Sequence, residues 1–395
     1  MSLFSNFYGA DKSFFESKTC INTSTEIAHQ PEMWRKLSGF LTESQKEIAD
    51  FFAKIGPLSD KRVILTGAGS SGFVGCAVSG FIAQIAGIHS EAIHTPDICS
   101  APETFLFPDK PTLLVSFARS GNSPESVGTV EYTRKVIKNL YEIAIVCDSG
   151  SKLSVATRDA KNGLVLVMPE GTNDKGFAMT SSVSTMIMAG VAAFCYKDID
   201  KIAADILLLA NQIEKSGPSL AKSAKICADI GVKGDIERAW FLGSGAFTAL
   251  AKEGALKMME LTNGAIVAGH NNAPEFRHGP KTVLNSKTVT VHFISNREFT
   301  AKYDVDVLNE LYSQRDGNKV IAICDSASEA QADLIIPYET NGYTIMADVA
   351  AGMQGLVFMQ LLSMYASLAL NITTDNPSPS GLVNRVVQGV TVYPL

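Results

Sequence analysis

Two stretches of this chain carry the same landmarks at separations that agree within one residue, and that restricts the fold more than composition does. The glycine turn of ILTGAGSSG begins at Gly67 and that of WFLGSGAFT at Gly243, 243 − 67 = 176 residues later. The strings VCDSGS and ICDSAS place Asp148 and Asp325 at 325 − 148 = 177 residues. One short match arises easily by chance; two whose offsets agree within one residue mark an internal duplication. Around the first turn, short β-branched runs alternate with helical stretches: RVILTG (62–67), EAIHT (91–95), TLLVSF (112–117), EIAIVCD (142–148) and GLVLVMP (163–169). RAWFLG (238–243), KTVTVHFI (287–294), KVIAICD (319–325) and DLIIPY (333–338) continue the alternation in the second half. Such alternation implies βαβ units and parallel sheets.

A length of 395 residues leaves room for two cores. The expected division is an N-terminal helical extension over 1–49, one domain over 50–215 and another over 216–395. Thr42 and Gln45, three residues apart, read as a capping pair opening a helix within the extension. A net charge of −6 with scattered lysines and arginines offers no basic field for nucleic acid, so an anionic substrate has to be held by local groups. The seven cysteines lie far apart, with no CxxC pair and no histidine at metal-ligand spacing, and read as reduced, mostly buried thiols without a metal. The N-terminus lacks the pattern of a secretory signal. Residues 347–370 are nearly long and apolar enough to cross a bilayer, but Asp348, Gln354 and Gln360 within them favour a buried helix. A cytoplasmic protein is expected.

The first glycine turn, GAGSSG (67–72), runs from a strand into a helix, so Ser70 and Ser71 sit where backbone N–H groups face outward for an anion. The string also fits the dinucleotide fingerprint, which would need an acidic residue ending the second strand; only Asp97, after a proline, is offered. A second hydroxyl-rich turn, ARSGNSPES (118–126), adds Arg119, Ser120 and Ser123 at the end of the third strand. Small hydroxyls and backbone amides from adjacent strand ends make a compact cradle for one phosphate. If the serines were only turn formers, both copies should keep them. The second copy reads GSGAFT and SNREFT at the equivalent places, with the serine-rich pattern gone.

That copy carries acid–base groups instead. On the helix AFTALAKEGALKMMELT (246–262), Glu253, Lys257 and Glu260 fall at i, i+4 and i+7 and share one face. They read either as a solvated charged stripe or as a partly buried set suited to proton transfer. Downstream, HNNAPEFRHGPKT (270–282) holds Glu275, Arg277 and His278 in a loop bounded by prolines. His278 is a candidate proton donor and acceptor, whereas His270 has no comparable neighbours.

Assembled, these motifs resemble the sugar isomerase (SIS) domain family, in tandem, over residues 50–393. GAGSSG, RSGNSPES, EGALKMMEL and EFRHGP are similar to the isomerase half of glucosamine-6-phosphate synthase, and to family members that act as tagatose-6-phosphate ketose/aldose isomerases or galactosamine-6-phosphate deaminases. The resemblance implies an α/β fold of two domains, each a parallel five-stranded sheet flanked by helices in a flavodoxin- or Rossmann-like three-layer sandwich. By it, Ser70, Ser71, Ser120 and Ser123 would hold the phosphate of a hexose or hexosamine phosphate, with Arg119 at a glutamine position beside them. Glu260 would move a proton between C1 and C2, Glu253 and Lys257 would complete the catalytic set, and Thr180 and Gln388 would be further substrate contacts. His278 would assist ring opening from a neighbouring subunit, implying at least a homodimer. No cofactor is implied.

Three departures narrow the inference. Gln388 in NRVVQGVTVYPL stands where the synthase has an imine-forming lysine, and no glutaminase segment is recognisable, so synthesis from glutamine is not expected. DNPSPSGLVNR (375–385) reads as an insertion, and Ala118 replaces a cradle serine. The expected activity is deamination and isomerisation of galactosamine 6-phosphate. A plain aldose–ketose isomerase and a non-catalytic sugar-phosphate sensor are the alternatives.

Overall fold

The computed structural model describes residues 3–325, 328–387 and 389–395. They form two compact units. One comprises Met33–Asp174, Ser181–Ala204 and Val383–Leu395; the other comprises Met1–Glu32, Lys175–Thr180 and Asp205–Leu382.

The first unit is built on β1 (Arg62–Thr66), β2 (Glu91–Ala92), β3 (Thr112–Ala118), β4 (Leu140–Val146) and β5 (Gly163–Val167), all parallel, in the order β2-β1-β3-β4-β5. Every residue of β3 is buried, the mark of a central strand covered by helices on both faces. On one side the helix Ser70–Ala86 packs on Ser181–Phe194; on the other, Thr95–Ser100 packs on Pro124–Val136 over a core containing Ile98, Val130 and Tyr132. The second unit repeats the plan with β6 (Arg238–Gly243), β7 (Val267–Asn271), β8 (Thr288–Phe293), β9 (Lys319–Asp325) and β10 (Leu334–Tyr338), ordered β10-β9-β8-β6-β7. Read from the other edge this is the first order, strand for strand.

The duplication reaches the backbone of the turns. Gly69 and Gly245, 176 residues apart, both take positive φ (54° and 58°), a region that favours glycine. A Cβ on Gly67 would lie 2.5 Å from the Ser71 backbone carbon, and one on Gly243 would lie 2.8 Å from the Phe247 backbone oxygen. Each turn therefore needs its first glycine for the same close approach.

Several local expectations are corrected. The helix Gln30–Ile55 runs straight through Thr42, whose hydroxyl donates to the Ser38 carbonyl at 3.2 Å, while the Gln45 amide donates to the Tyr196 carbonyl, so the pair opens no helix. EAIHT pairs only over Glu91–Ala92 before the Thr95–Ser100 helix begins at Thr95-Pro96. β7 forms in VAGHN, where no apolar run announces a strand; an edge position tolerates that sequence. Of the seven cysteines, none in a disulfide, only Cys20 and Cys324 are fully buried, and the others are half-buried.

Ala347–Ala369 is the one helix among the described residues long and apolar enough to cross a membrane, yet Asp348–Ser367 are all buried within the fold. Its two glutamines are answered inside the protein. Gln354 donates to the Glu339 carbonyl at 2.8 Å, and Gln360 donates to the Thr180 carbonyl at 3.2 Å while accepting from Gln30 at 2.9 Å. Internal partners of this kind belong to a core helix.

Candidate functional site

In an open parallel sheet, ligands settle where the strand order reverses, outside the C-terminal ends of the strands. In the first unit that point lies between β1 and β3, and the loops leaving these two strands carry all five expected phosphate groups. Ser70 and Ser71, 5% and 6% exposed, form the first turn of the Ser70–Ala86 helix, entered through Gly69. Gly72 presses against the His94 ring, so the turn has no room for a side chain there. Ser123 occupies the N-cap of Pro124–Val136 but makes no side-chain capping bond, which leaves its hydroxyl for another use. The loop is braced from the next strand end: the Lys152 N–H donates to Asn122 Oδ1 at 3.0 Å and the Leu153 N–H to the Gly121 carbonyl at 3.1 Å.

Arg119 is 7% exposed, and its Nη2 donates to the Arg385 carbonyl at 2.8 Å. Arg385 in turn donates to the Asp174 carbonyl. The Asp174 carboxylate caps the helix Ser181–Phe194, accepting from the Ser181 and Ser182 N–H groups at 3.1 and 3.0 Å and from both hydroxyls. Tyr132 reaches the tail as well, through its hydroxyl to the Tyr393 carbonyl. The segment Val383–Leu395 is thus fastened to the rim of the serine loops. Sequence reading missed Arg385 and Asp174, because nothing local announces a contact between residues 266 apart. Cys147 sits beside Asp174 and Arg119, but burial holds its thiol well above the usual range, with Asp174 adding to the effect and Arg119 opposing it. It is no nucleophile there.

In the second unit the helix Phe247–Leu261 opens from the other glycine turn. Gly254 lets it approach its neighbours closely: a Cβ there would lie 2.4 Å from Met359 Sδ and 2.6 Å from Phe241 Cδ1. That close packing keeps Glu253 beside it, and Lys257 three residues on, in the core. Glu253 is 1% exposed and Lys257 fully buried, with Nζ 3.5 Å from Glu253 Oε1 and bonded to Glu260 Oε2. Glu260, its side chain 26% exposed, is the member of the three that opens outward. This is a buried ion cluster, and the solvated-stripe reading is excluded.

His278 follows the short 3-10 turn Pro274–Arg277 and is exposed. Phe276, wholly buried against Leu242, Val307 and Leu311, anchors the loop. Arg277 bonds Asp306 at 2.8 Å and Glu310 at 2.6 Å, and Lys281 bonds Glu310 at 2.5 Å. Arg277 is therefore a structural tie, and Glu310 the hub that fixes the loop. Thr180 is wholly buried, its carbonyl bonded to Gln360. Gln388 lies outside the described residues. His270 is on β7, half-buried, its pKa lowered first by burial.

A model of the SIS domain matches residues 58–196 and 235–364. A protein of Shewanella sp. named D-galactosamine-6-phosphate deaminase AgaS is 36% identical over 377 residues, spanning 94% of this chain and 92% of that protein. One of the same name from Escherichia coli is 34% identical over 377 residues, spanning 94% and 95%. Among solved structures, tagatose-6-phosphate ketose/aldose isomerase from Escherichia coli superposes with a TM-score of 0.85 at 32% identity, covering 94% of this chain and 96% of that one.

Proposed function

As the chain belongs to the SIS domain family, we propose that it is a sugar-phosphate enzyme that converts galactosamine 6-phosphate and water to tagatose 6-phosphate and ammonia. Ser70, Ser71, Ser120 and Ser123 hold the phosphate, helped by the backbone amides of the Ser70–Ala86 helix N-terminus. Once the ring is open, Glu260 takes the C2 proton and returns it to C1. The C1 oxygen takes a proton from the C2 ammonium group, so the C1 aldehyde becomes a CH₂OH group and C2 carries an iminium. Water adds to that iminium and ammonia leaves, giving the ketose.

The observation that carries this reading is the division of labour in the helix Phe247–Leu261. Lys257 is buried between two carboxylates, and only Glu260 is open to a substrate. A sensor of sugar phosphates would need the serine loops but has no use for a buried Glu–Lys–Glu set, whose desolvation is costly. The names of the relatives at 36% and 34% identity support deamination, and that of the solved structure at 32% supports the second reading, isomerisation without loss of nitrogen. The test is ammonia release from galactosamine 6-phosphate, assayed beside interconversion of galactose and tagatose 6-phosphates. Ammonia with the first substrate is the expected result; interconversion with no ammonia from any hexosamine phosphate would select the second reading.

The exposed His278 supports a role in the site of a neighbouring subunit of a cytoplasmic homo-oligomer. Two inactive variants, Glu260→Gln and His278→Asn, are then expected to recover activity when unfolded together and reassembled, because mixed assemblies contain some intact sites. No recovery from a mixture that does form mixed oligomers would place His278 in its own subunit's site.

A further inference from the structure

The second sheet has its own reversal of strand order, between β6 and β8. Its crevice is filled from within the chain. The loops leaving β6 and β8 hold the positions that the serine loops hold on β1 and β3. Between them lies the carboxylate of Asp304, carried on the helix Glu298–Ser313 and 0% exposed. One of its oxygens accepts from the Ser244 hydroxyl, and the other accepts from the Ser295 backbone N–H at 3.0 Å. A hydroxyl from the glycine turn and an amide from the loop after the third strand are the donors that a bound oxyanion would take at such a crevice.

Asp348, in the first turn of Ala347–Ala369, is 7% exposed. Neither of its oxygens makes a hydrogen bond of good geometry among the described residues, and the Asn296 N–H and the Arg297 guanidinium are the groups that favour its charge. Burial raises the pKa of both acids. Asp304 reaches about 6, with Asp348 adding to the rise while the Ser244 and Ser295 bonds oppose it. Burying a carboxylate costs several kcal/mol unless donors meet it, and an apolar side chain would have filled the same space without that cost. The donor set is thus one for an anion, in a copy whose loops lack the serine-rich pattern.

We infer that the second copy keeps an oxyanion crevice of the phosphate-binding kind and that Asp304, with Asp348 behind it, occupies the crevice as a built-in anion. A chain with two copies of the plan thereby offers one open phosphate crevice rather than two. The comparison rests on the phosphate role proposed for the first copy.

The test uses the full chain with Ser120→Ala and Ser123→Ala, which weaken the first crevice, with and without Asp304→Ser plus Asp348→Asn. Inorganic phosphate, compared with chloride at matched ionic strength, is expected to raise the melting temperature of the variant lacking both acids by about 2–4 °C more than that of its parent, once phosphate is at roughly tenfold its Kd. Phosphorus NMR of the added phosphate should broaden in step. A folded variant with no increment in either readout overturns the inference. If the variant folds only when phosphate is present, the inference stands. If it fails to fold even with phosphate, while Asp304→Asn folds normally, the inference fails.

Discussion

Glu260→Gln is expected to lower kcat by about 10²–10⁴-fold, the usual worth of a positioned general base. The inhibition constant of inorganic phosphate should stay within about twofold, because a proton-transfer group that does not hold the phosphate contributes nothing to that equilibrium. The amide keeps the volume of the side chain and an oxygen to accept from Lys257, so the melting temperature should barely move. Steady-state kinetics and a thermal scan on the same preparation separate these effects. A variant retaining more than a tenth of the parental kcat would remove Glu260 from its role.

Lys257→Met should be the most destabilising change in the helix Phe247–Leu261. The substitution preserves volume but leaves the Glu253 carboxylate, 1% exposed, without the cation 3.5 Å away. Breaking a buried pair from one side costs about 3–5 kcal/mol, or roughly 6–20 °C in the melting temperature of a unit this size. Removing both charges in Glu253→Gln with Lys257→Met should restore most of that loss, because no uncompensated charge then remains inside. A melting temperature unchanged in the single variant would mean that the cluster is hydrated rather than dry.

The α/β plan was legible because its signals are local and repeated: glycine turns at a fixed offset and apolar runs that must be buried on both faces. The placing of the serine loops at the reversal of the first sheet was legible for the same reason, since Ser70, Ser71, Ser120 and Ser123 sit on loops whose positions follow from strand order. The burial of Glu253 and Lys257 was not. Their spacing fits a solvated face equally well, and only Gly254, admitting Met359 and Phe241 so closely, decides the matter. β7 escaped notice because an edge strand can be made from polar residues and glycine. The ties from Arg119 to Arg385 and from Arg277 to Glu310 join residues distant in sequence, and no periodicity encodes them.

Neither compact unit is a continuous piece of chain. Val383–Leu395 joins the unit of the first sheet although the residues just before it belong to the other, and Lys175–Thr180 makes the reverse excursion. No single cut can therefore release either half intact. A gene fragment ending after the first sheet would lack the strand of backbone that Arg119 and Tyr132 grip, and one beginning at the second sheet would carry that strand with nothing to grip it. Whatever ancestral module was doubled, its descendants are no longer separable by recombination at the boundary between repeats.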